Sequence, residues 1–272
     1  MKARSKRKPR KTKRKGIYIL PNLLTSASLF GGFYAIIAAI QGRYEAAAVA
    51  IIISAIFDGL DGRIARFTHT SSDFGTEYDS LSDLVAFGVA PGILAYLWAL
   101  KPFGRLGWLA AFIYVICGAL RLARFNVQKT NTDPGYFKGL PIPVAACFIA
   151  SLILFTHAVN IIQTSKSIII ISMVYMLSFL MVSSLKYLSF KKFVIRDQKP
   201  FNVLVSTILI CTLIAYKPKI MFFFIAILYV LSGPVISLYR AYARRSLLRD
   251  PIKDVPSLKE KEDFPPMGNS DG

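Results

Sequence analysis

The segment 58–83, DGLDGRIARFTHTSSDFGTEYDSLSD, places four aspartates close together in a largely apolar chain: Asp58, Asp61, Asp79 and Asp83. On helices, the i,i+3 spacing of the first pair and the i,i+4 spacing of the second put each pair on one face. The polar stretch FTHTSSDF lies between the two pairs. Two antiparallel helices joined by this turn would bring all four carboxylates together near the membrane surface.

Carboxylates at such short range repel one another strongly where the dielectric constant is low. Divalent cations are the simplest way to hold them together, and all-oxygen ligands suit Mg²⁺, Mn²⁺ or Ca²⁺ rather than zinc. Two such ions would stabilise the entering and leaving oxygens of a displacement at phosphorus. The alternative is a solvated acidic rim neutralised by local arginines, which four carboxylates at these spacings disfavour.

The residues between the aspartates fit the same chemistry. Gly62, Ala65 and Gly75 leave helix surface open to a bulky group, and Arg66 offers a guanidinium fork suited to phosphate. The segment therefore predicts a metal-assisted site for a substrate that carries phosphate.

Membrane helices are the elements that must position this site. Of the 272 residues, 54% are hydrophobic and 18% are charged, and the mean hydropathy is +0.48. Runs such as SIIIISMVYMLSFLMVSSL are long enough to cross a bilayer, which requires about 20 helical residues. We predict an all-α transmembrane bundle of about eight spans, with six as the lower count. The predicted spans cover 19–41, 45–66, 84–101, 106–124, 141–160, 167–188, 202–216 and 219–240.

Lys and Arg are concentrated in alternate connecting segments, and such segments face the cytoplasm. Both termini and the aspartate segment are therefore predicted to be cytoplasmic, in a bacterial inner membrane. Much of the net charge of +19 lies in residues 1–16, which contain no acid and predict a tail attracted to anionic lipid. The sequence leaves a homodimer open, and no nucleic-acid partner is expected.

Cysteine and histidine are predicted to have no part in the chemistry. The three cysteines, Cys117, Cys147 and Cys211, lie in apolar runs without Cys-x-x-Cys pairing, which argues against a disulfide framework or a zinc site. His69 and His157 are expected to be ordinary loop residues.

Residues 58–83 resemble the signature of the CDP-alcohol phosphotransferases, Asp-x2-Asp-Gly-x2-Ala-Arg-x8-Gly-x3-Asp-x3-Asp. Every fixed position is filled, by Asp58, Asp61, Gly62, Ala65, Arg66, Gly75, Asp79 and Asp83. The resemblance implies a six-helix catalytic core to which the last two spans are additions. The expected units are a basic cytoplasmic tail (1–16), the core (17–190), an additional transmembrane hairpin (191–245) and a disordered cytoplasmic tail (246–272).

Within that family, four stretches resemble the membrane-embedded phosphatidylserine synthase branch: LPNLLTSASLFGGFYAI, DSLSDLVAFGVAP, GALRLARFNV and FKGLPIPVAA. This resemblance implies CDP-diacylglycerol as donor and L-serine as acceptor, with phosphatidylserine and CMP as products. The alternatives are the same chemistry with glycerol 3-phosphate, inositol phosphate or choline, and an ion-coupled transporter. Transport is disfavoured because the acids cluster at span ends rather than in mid-span.

The resemblance also assigns roles to residues. The four aspartates are expected to bind two Mg²⁺ or Mn²⁺ ions, and Asp83 to accept the proton of the attacking hydroxyl as well. Contacts with CDP-diacylglycerol are expected from Asn22, Thr25, Gly62, Ala65, Arg66, Ser72 and Gly75. An N-cap of the first helix, following Pro21, is a second interpretation of Asn22.

Recognition of serine requires a cation for its carboxylate. The candidates are Arg121, Arg124 and Lys138, on the cytoplasmic side of the fourth predicted span. Two alternatives stay open for them, which are phosphate binding and simple positive-inside anchoring with snorkelling side chains.

Overall fold

The structure is a computed structural model that describes residues 19–68, 72–128, 136–160, 167–188, 212 and 216–249. Within these ranges the chain is a helical bundle with one short β-ribbon. Its helices are α1 (Ile19–Ile40), α2 (Tyr44–Phe67), α3 (Asp73–Asp83), α4 (Ala90–Ala95), α5 (Arg105–Gln128), α6 (Ile142–Ala158), α7 (Ile168–Val182) and α8 (Pro218–Arg249). The strands are β1 (Tyr136–Lys138) and β2 (Lys186–Leu188).

Helices α3 and α4 belong to one continuous helical rod, Asp73–Phe103, of 31 residues. A π-helical turn, Leu84–Val89, joins them, and a second one, Tyr96–Leu100, follows α4. The prediction that this span starts at residue 84 is wrong, because Ser72 caps a helix that begins at Asp73. Asp79 and Asp83 therefore lie inside the helix rather than at its start.

The chain is an integral membrane protein by the length and composition of its helices. Four helices in the described ranges are long and apolar enough to cross a membrane: Leu20–Ile40, Asp73–Phe103, Arg105–Val127 and Pro218–Ser237. Helices α6 and α7 are apolar but shorter, at 17 and 15 residues. The count of eight spans is not confirmed. Most of the predicted span 202–216, all of the tail 1–16, and residues 250–272 lie outside the described residues.

The fold is mostly helical, as predicted, and the short β-ribbon corrects one prediction, that the sixth span continues to residue 188. Helix α7 ends at Val182, and β2 pairs antiparallel with β1, Phe137 opposite Tyr187. Gly139 turns the chain into α6 with a φ of +79°, and a Cβ there would lie 2.4 Å from the carbonyl oxygen of Met181. Glycine is therefore required where the ribbon meets the end of α7.

Small residues let the first three helices approach one another closely. Ala35, Ala38 and Ala39 of α1 are buried, as are Ala47 and Ala48 of α2. A Cβ on Gly32 of α1 would lie 2.5 Å from the Cα of Ala86, in the π-helical turn after Asp83. Close packing of small residues is how membrane helices associate, since lipid supplies no hydrophobic driving force between them.

The contact at Gly32 yields a stability prediction. Gly32→Ala should destabilise the protein by about 1–3 kcal/mol, because the added methyl group meets backbone atoms of Ala86 that cannot rotate away. Unfolding in mixed detergent micelles, followed by circular dichroism, measures the change. Gly59→Ala is the matched control, because a Cβ there meets nothing within 4 Å. Equal stability of the two variants would contradict the proposed packing.

Candidate metal and phosphate site

Three aspartates converge between α2 and α3. Asp58, Asp61 and Asp79 each offer a carboxylate oxygen, and these three atoms all lie within 4.8 Å of one another. Asp61 is buried, with 5% of its surface exposed, whereas Asp58 and Asp79 are half-buried. The predicted convergence of helix faces across the turn therefore holds for these three residues.

Asp83 lies one helical turn beyond Asp79, at the junction with the first π-helical turn. Its carboxyl group is in hydrogen-bonding contact with that of Asp58. It thus adjoins the three-aspartate cluster through Asp58, without being one of the three residues whose oxygens converge. All four predicted acids occur in one site, but Asp83 holds a distinct position at its edge.

The donor set fits a divalent cation. Three carboxylate oxygens at this separation form a hard, negatively charged ligand set without a thiolate or imidazole among them, which is the kind that Mg²⁺, Mn²⁺ or Ca²⁺ prefers. Two of the three side chains are only half-buried, so water or a phosphate oxygen can complete the coordination. These residues could therefore hold a metal ion.

Helix α1 fixes the orientation of the buried acid. The hydroxyl of Thr25, itself 4% exposed, donates a hydrogen bond of 2.7 Å to Oδ2 of Asp61. The hydroxyl of Ser82 in turn donates to the carbonyl oxygen of Thr25 over 3.1 Å, and Ser28 donates to the carbonyl oxygen of Ser54. Thr25 thus links Asp61 of α2 to Ser82 of α3 beside the cluster, and the Ser28 bond is a separate link between α1 and α2.

The beginning of α3 brings three further predicted residues together. The hydroxyl oxygen of Ser72 caps the helix by accepting a hydrogen bond of 3.0 Å from the backbone N–H of Gly75. A Cβ on Gly75 would lie 3.4 Å from Oδ1 of Asn22, so the Asn22 amide faces this turn. The N-cap interpretation of Asn22 is wrong, since α1 begins at Ile19 and Asn22 lies within it.

The end of α2 carries the remaining residues of the signature. A Cβ on Gly62 would meet nothing within 4 Å, so the backbone there is open to a ligand. Ala65 is half-buried and Arg66 is exposed. His69 follows in the sequence and lies outside the described residues.

The three predicted cations occupy different environments. Arg121 lies within electrostatic range of Asp83, and its Nε is buried without a hydrogen-bond partner in the described part of the chain. The guanidinium of Arg124 donates to the carbonyl oxygens of Val182 and Ser183, at 3.0 and 3.4 Å, and so holds the end of α7. Lys138 lies in β1, opposite Lys186 of β2. Arg121 is thus the predicted cation with both proximity to the acids and an unused donor.

Sequence reasoning missed several polar neighbours of the site. The hydroxyls of Ser26 and Tyr78 lie 2.8 Å apart and link α1 to α3, and the Asn126 amide donates to the hydroxyl of Ser80 over 2.9 Å. Tyr229 of α8 lies within electrostatic range of Arg121. The only available signal was a polar side chain within a membrane helix, which does not identify its partner.

An apolar groove of about 920 Å³ runs along α1 and α2. One end lies at Phe57, directly before Asp58, and the other at Gly42 and Arg43 in the turn between the two helices. His157, at the end of α6, also lines it. The groove therefore connects the neighbourhood of the aspartates with the opposite end of α2.

Comparison with known proteins gives a consistent result. The sequence model of the CDP-alcohol phosphatidyltransferase family matches residues 18–182. A CDP-diacylglycerol–serine O-phosphatidyltransferase of Helicobacter pylori (strain ATCC 700392 / 26695) is 42% identical over 176 residues, which cover 65% of this chain and 74% of the relative. The CDP-diacylglycerol–serine O-phosphatidyltransferase of Bacillus subtilis (strain 168) is 36% identical over 174 residues, which cover 64% of this chain and 92% of the relative.

An archaeal relative has a different lipid in its name. The archaetidylserine synthase of Methanothermobacter thermautotrophicus is 40% identical over 170 residues, which cover 62% of this chain and 69% of the relative. The family match spans more than half of the chain and contains the whole aspartate segment. The resemblance inferred from the signature is thereby confirmed, and the chain belongs to the CDP-alcohol phosphatidyltransferase family.

Proposed function

We propose that the chain transfers the phosphatidyl group from CDP-diacylglycerol to the hydroxyl of L-serine, giving phosphatidylserine and CMP. The observation that carries the proposal is the aspartate cluster between α2 and α3, in a chain whose bacterial relatives are named for this reaction. The archaeal relative supports serine as the acceptor, because its name contains a different lipid from those of the bacterial relatives but the same acceptor, serine.

The pyrophosphate of the donor would bind at the aspartates. Two Mg²⁺ or Mn²⁺ ions are proposed there, held by Asp58, Asp61 and Asp79 together with Asp83. When bound, such ions supply polarisation of the phosphoryl oxygens and offset their negative charge. The cytidine and phosphates would contact Asn22, Thr25, Gly62, Ala65, Arg66, Ser72 and Gly75.

The groove along α1 and α2 suits the acyl chains of the donor. Its lining is largely apolar, and it begins at Phe57, beside Asp58. Helix positions four residues apart share a face, so the face of α2 that carries Phe57 leads directly to Asp61. A diacylglycerol in this groove would therefore place its phosphate at the aspartates.

In the proposed reaction, the serine hydroxyl oxygen forms a bond to the phosphorus that carries the diacylglycerol. The bond from this phosphorus to the oxygen of CMP breaks, and the electron pair leaves with CMP. Asp83 accepts the hydroxyl proton, a transfer that becomes favourable as the new bond forms. The guanidinium of Arg121 binds the serine carboxylate, for which its buried Nε is an unused donor.

The proposal includes an orientation. The site and both termini face the cytoplasm of a bacterial inner membrane, where L-serine and the nucleotide part of the donor are accessible. The basic segment 1–16 would bind anionic lipid beside the site.

The first prediction concerns the acceptor. Purified protein with CDP-diacylglycerol should release CMP only when both L-serine and Mg²⁺ or Mn²⁺ are present, and excess EDTA should abolish release. Radiolabelled serine should appear in phosphatidylserine. Parallel reactions with glycerol 3-phosphate, inositol phosphate or choline are the controls. A lipid product from one of these acceptors, with none from serine, would refute the serine assignment.

A second prediction tests the proposed base. Asp83→Asn should lower kcat by at least about a hundredfold, because the amide cannot accept the hydroxyl proton. Asp73→Asn is the control, since Asp73 is an exposed acid in the first turn of the same helix. Circular dichroism should show both variants folded. Wild-type CMP release from Asp83→Asn would exclude Asp83 as the base.

A third prediction concerns the residue that orients Asp61. Thr25→Val keeps the side-chain shape but removes the hydrogen bond to Asp61, and should raise the Mg²⁺ concentration for half-maximal activity about tenfold. Thr156→Val is the control, because Thr156 donates only locally, to Ile153 of α6. An unchanged Mg²⁺ requirement in Thr25→Val would show that Thr25 does not support a metal ligand.

A further inference from the structure

A chain of hydrogen bonds orients the side-chain amide of Asn126, near the end of α5. Its Nδ2 group donates to the hydroxyl oxygen of Ser80 over 2.9 Å, and that hydroxyl donates its own proton to the carbonyl oxygen of Thr76 over 3.0 Å. Because a hydroxyl has a single proton, Ser80 can only accept from Asn126, and this fixes which end of the amide faces α3.

The other end of the amide is an unused acceptor. Oδ1 of Asn126 is turned away from Ser80, and it accepts no hydrogen bond within the described ranges. The side chain of Asn126 is only half-buried, so a ligand can reach this oxygen. An oriented amide oxygen in this position is a hydrogen-bond acceptor for a group that carries protons.

The register between α5 and the helical rod Asp73–Phe103 places Asn126 beside the reacting groups. The two run antiparallel, with three pairs of neighbours spread along them: Ser80 with Asn126, Phe87 with Tyr114, and Leu100 with Gly107. Asp83 lies between the first two pairs and is therefore level with residues 121–123 of α5. Arg121 follows Tyr114 by two helical turns, so it lies on the face of α5 that Tyr114 presents to the rod.

Asp83, Arg121 and Asn126 thus follow one another over about 8 Å of helix axis, a length that suits one small amino acid. L-serine has three polar groups, which are its hydroxyl, its carboxylate and its ammonium. In the proposed function Asp83 accepts the hydroxyl proton and Arg121 binds the carboxylate, which leaves the ammonium without a partner. An ammonium donates three hydrogen bonds and requires acceptors such as an amide oxygen.

The two hydrogen-bonded residues also come from segments that the metal chemistry leaves unexplained. Ser80 lies in DSLSDLVAFGVAP and Asn126 in GALRLARFNV, two of the stretches that resemble the phosphatidylserine synthase branch. Neither residue is a fixed position of the family signature. The bond between their side chains therefore joins two branch-specific stretches directly, next to the proposed metal ligand Asp79.

We propose that Asn126, oriented by Ser80, accepts a hydrogen bond from the ammonium group of the amino-acid acceptor. This inference rests on the proposed function, and it names the residue by which the site distinguishes L-serine from acceptors that have a hydroxyl but no ammonium. Glycerol 3-phosphate and inositol phosphate are acceptors of that second kind.

The test compares L-serine with 3-hydroxypropionate, which is the same molecule without the ammonium. Asn126→Leu should raise KM for L-serine about tenfold, the loss expected for one hydrogen bond to a charged group, and leave kcat and KM for CDP-diacylglycerol within about twofold. The inhibition constant of 3-hydroxypropionate in competition with L-serine should stay within about twofold, because this analogue makes no use of Asn126.

Gln41→Leu is the matched control, because it also replaces an amide with an apolar side chain, at an exposed position in the turn between α1 and α2. All of these constants should stay within about twofold of the wild-type values in this variant. Thermal unfolding followed by circular dichroism should show both variants folded.

Two results would overturn the inference while the proposed function stands. One is an unchanged KM for L-serine in Asn126→Leu. The other is an equal weakening of L-serine and 3-hydroxypropionate, which would assign Asn126 a structural role. If the wild-type protein released no CMP with L-serine, the proposed function would fail and this inference with it.

Discussion

Mutual repulsion of carboxylates in a membrane protein is the constraint on which the rest of the structure depends. Asp58, Asp61 and Asp79 bring oxygens within 4.8 Å of one another, with Asp83 against Asp58. Such a cluster is unfavourable in a low dielectric unless cations offset it. The surrounding structure must therefore hold the acids together by packing, because their own interactions drive them apart.

That packing comes from small residues and buried hydroxyls. Gly32 brings α1 against the π-helical turn after Asp83, and Thr25 links α1 to Asp61. The π-helical turn itself is the local irregularity that often marks a functional site. Arg121 of α5 lies within electrostatic range of Asp83. The donor and acceptor sides of the proposed site are thus built by different helices around the same four acids.

Much of the candidate site could be predicted from local sequence. The i,i+3 and i,i+4 spacings depend only on helix geometry, so the convergence of the aspartates followed from a turn between two helices. The apolar runs likewise predicted α1, α2 and α5 closely. These features depend on residues that are close in sequence or on the apolar composition of a segment.

The features that sequence did not predict depend on distant contacts. The KYL stretch of β2 follows an apolar run that is typical of a membrane helix. Only its pairing with β1 makes it a strand. Arg121 and Arg124 share one motif, yet Arg124 donates to carbonyl oxygens of α7 while Arg121 keeps a buried donor without a partner in the described ranges. Tertiary packing, rather than residue type, separates these roles.

Direct measurement of metal binding tests the central claim, that the aspartate cluster exists to hold divalent cations. Mn²⁺ can be titrated into purified protein and followed by electron paramagnetic resonance, with the wild type and Asp61→Asn compared at equal concentration. The account predicts saturable binding by the wild type and at least about a tenfold weaker affinity in the variant, whose amide is a poorer ligand than a carboxylate. Equal affinity of the two proteins, or no saturable binding by the wild type, would contradict it.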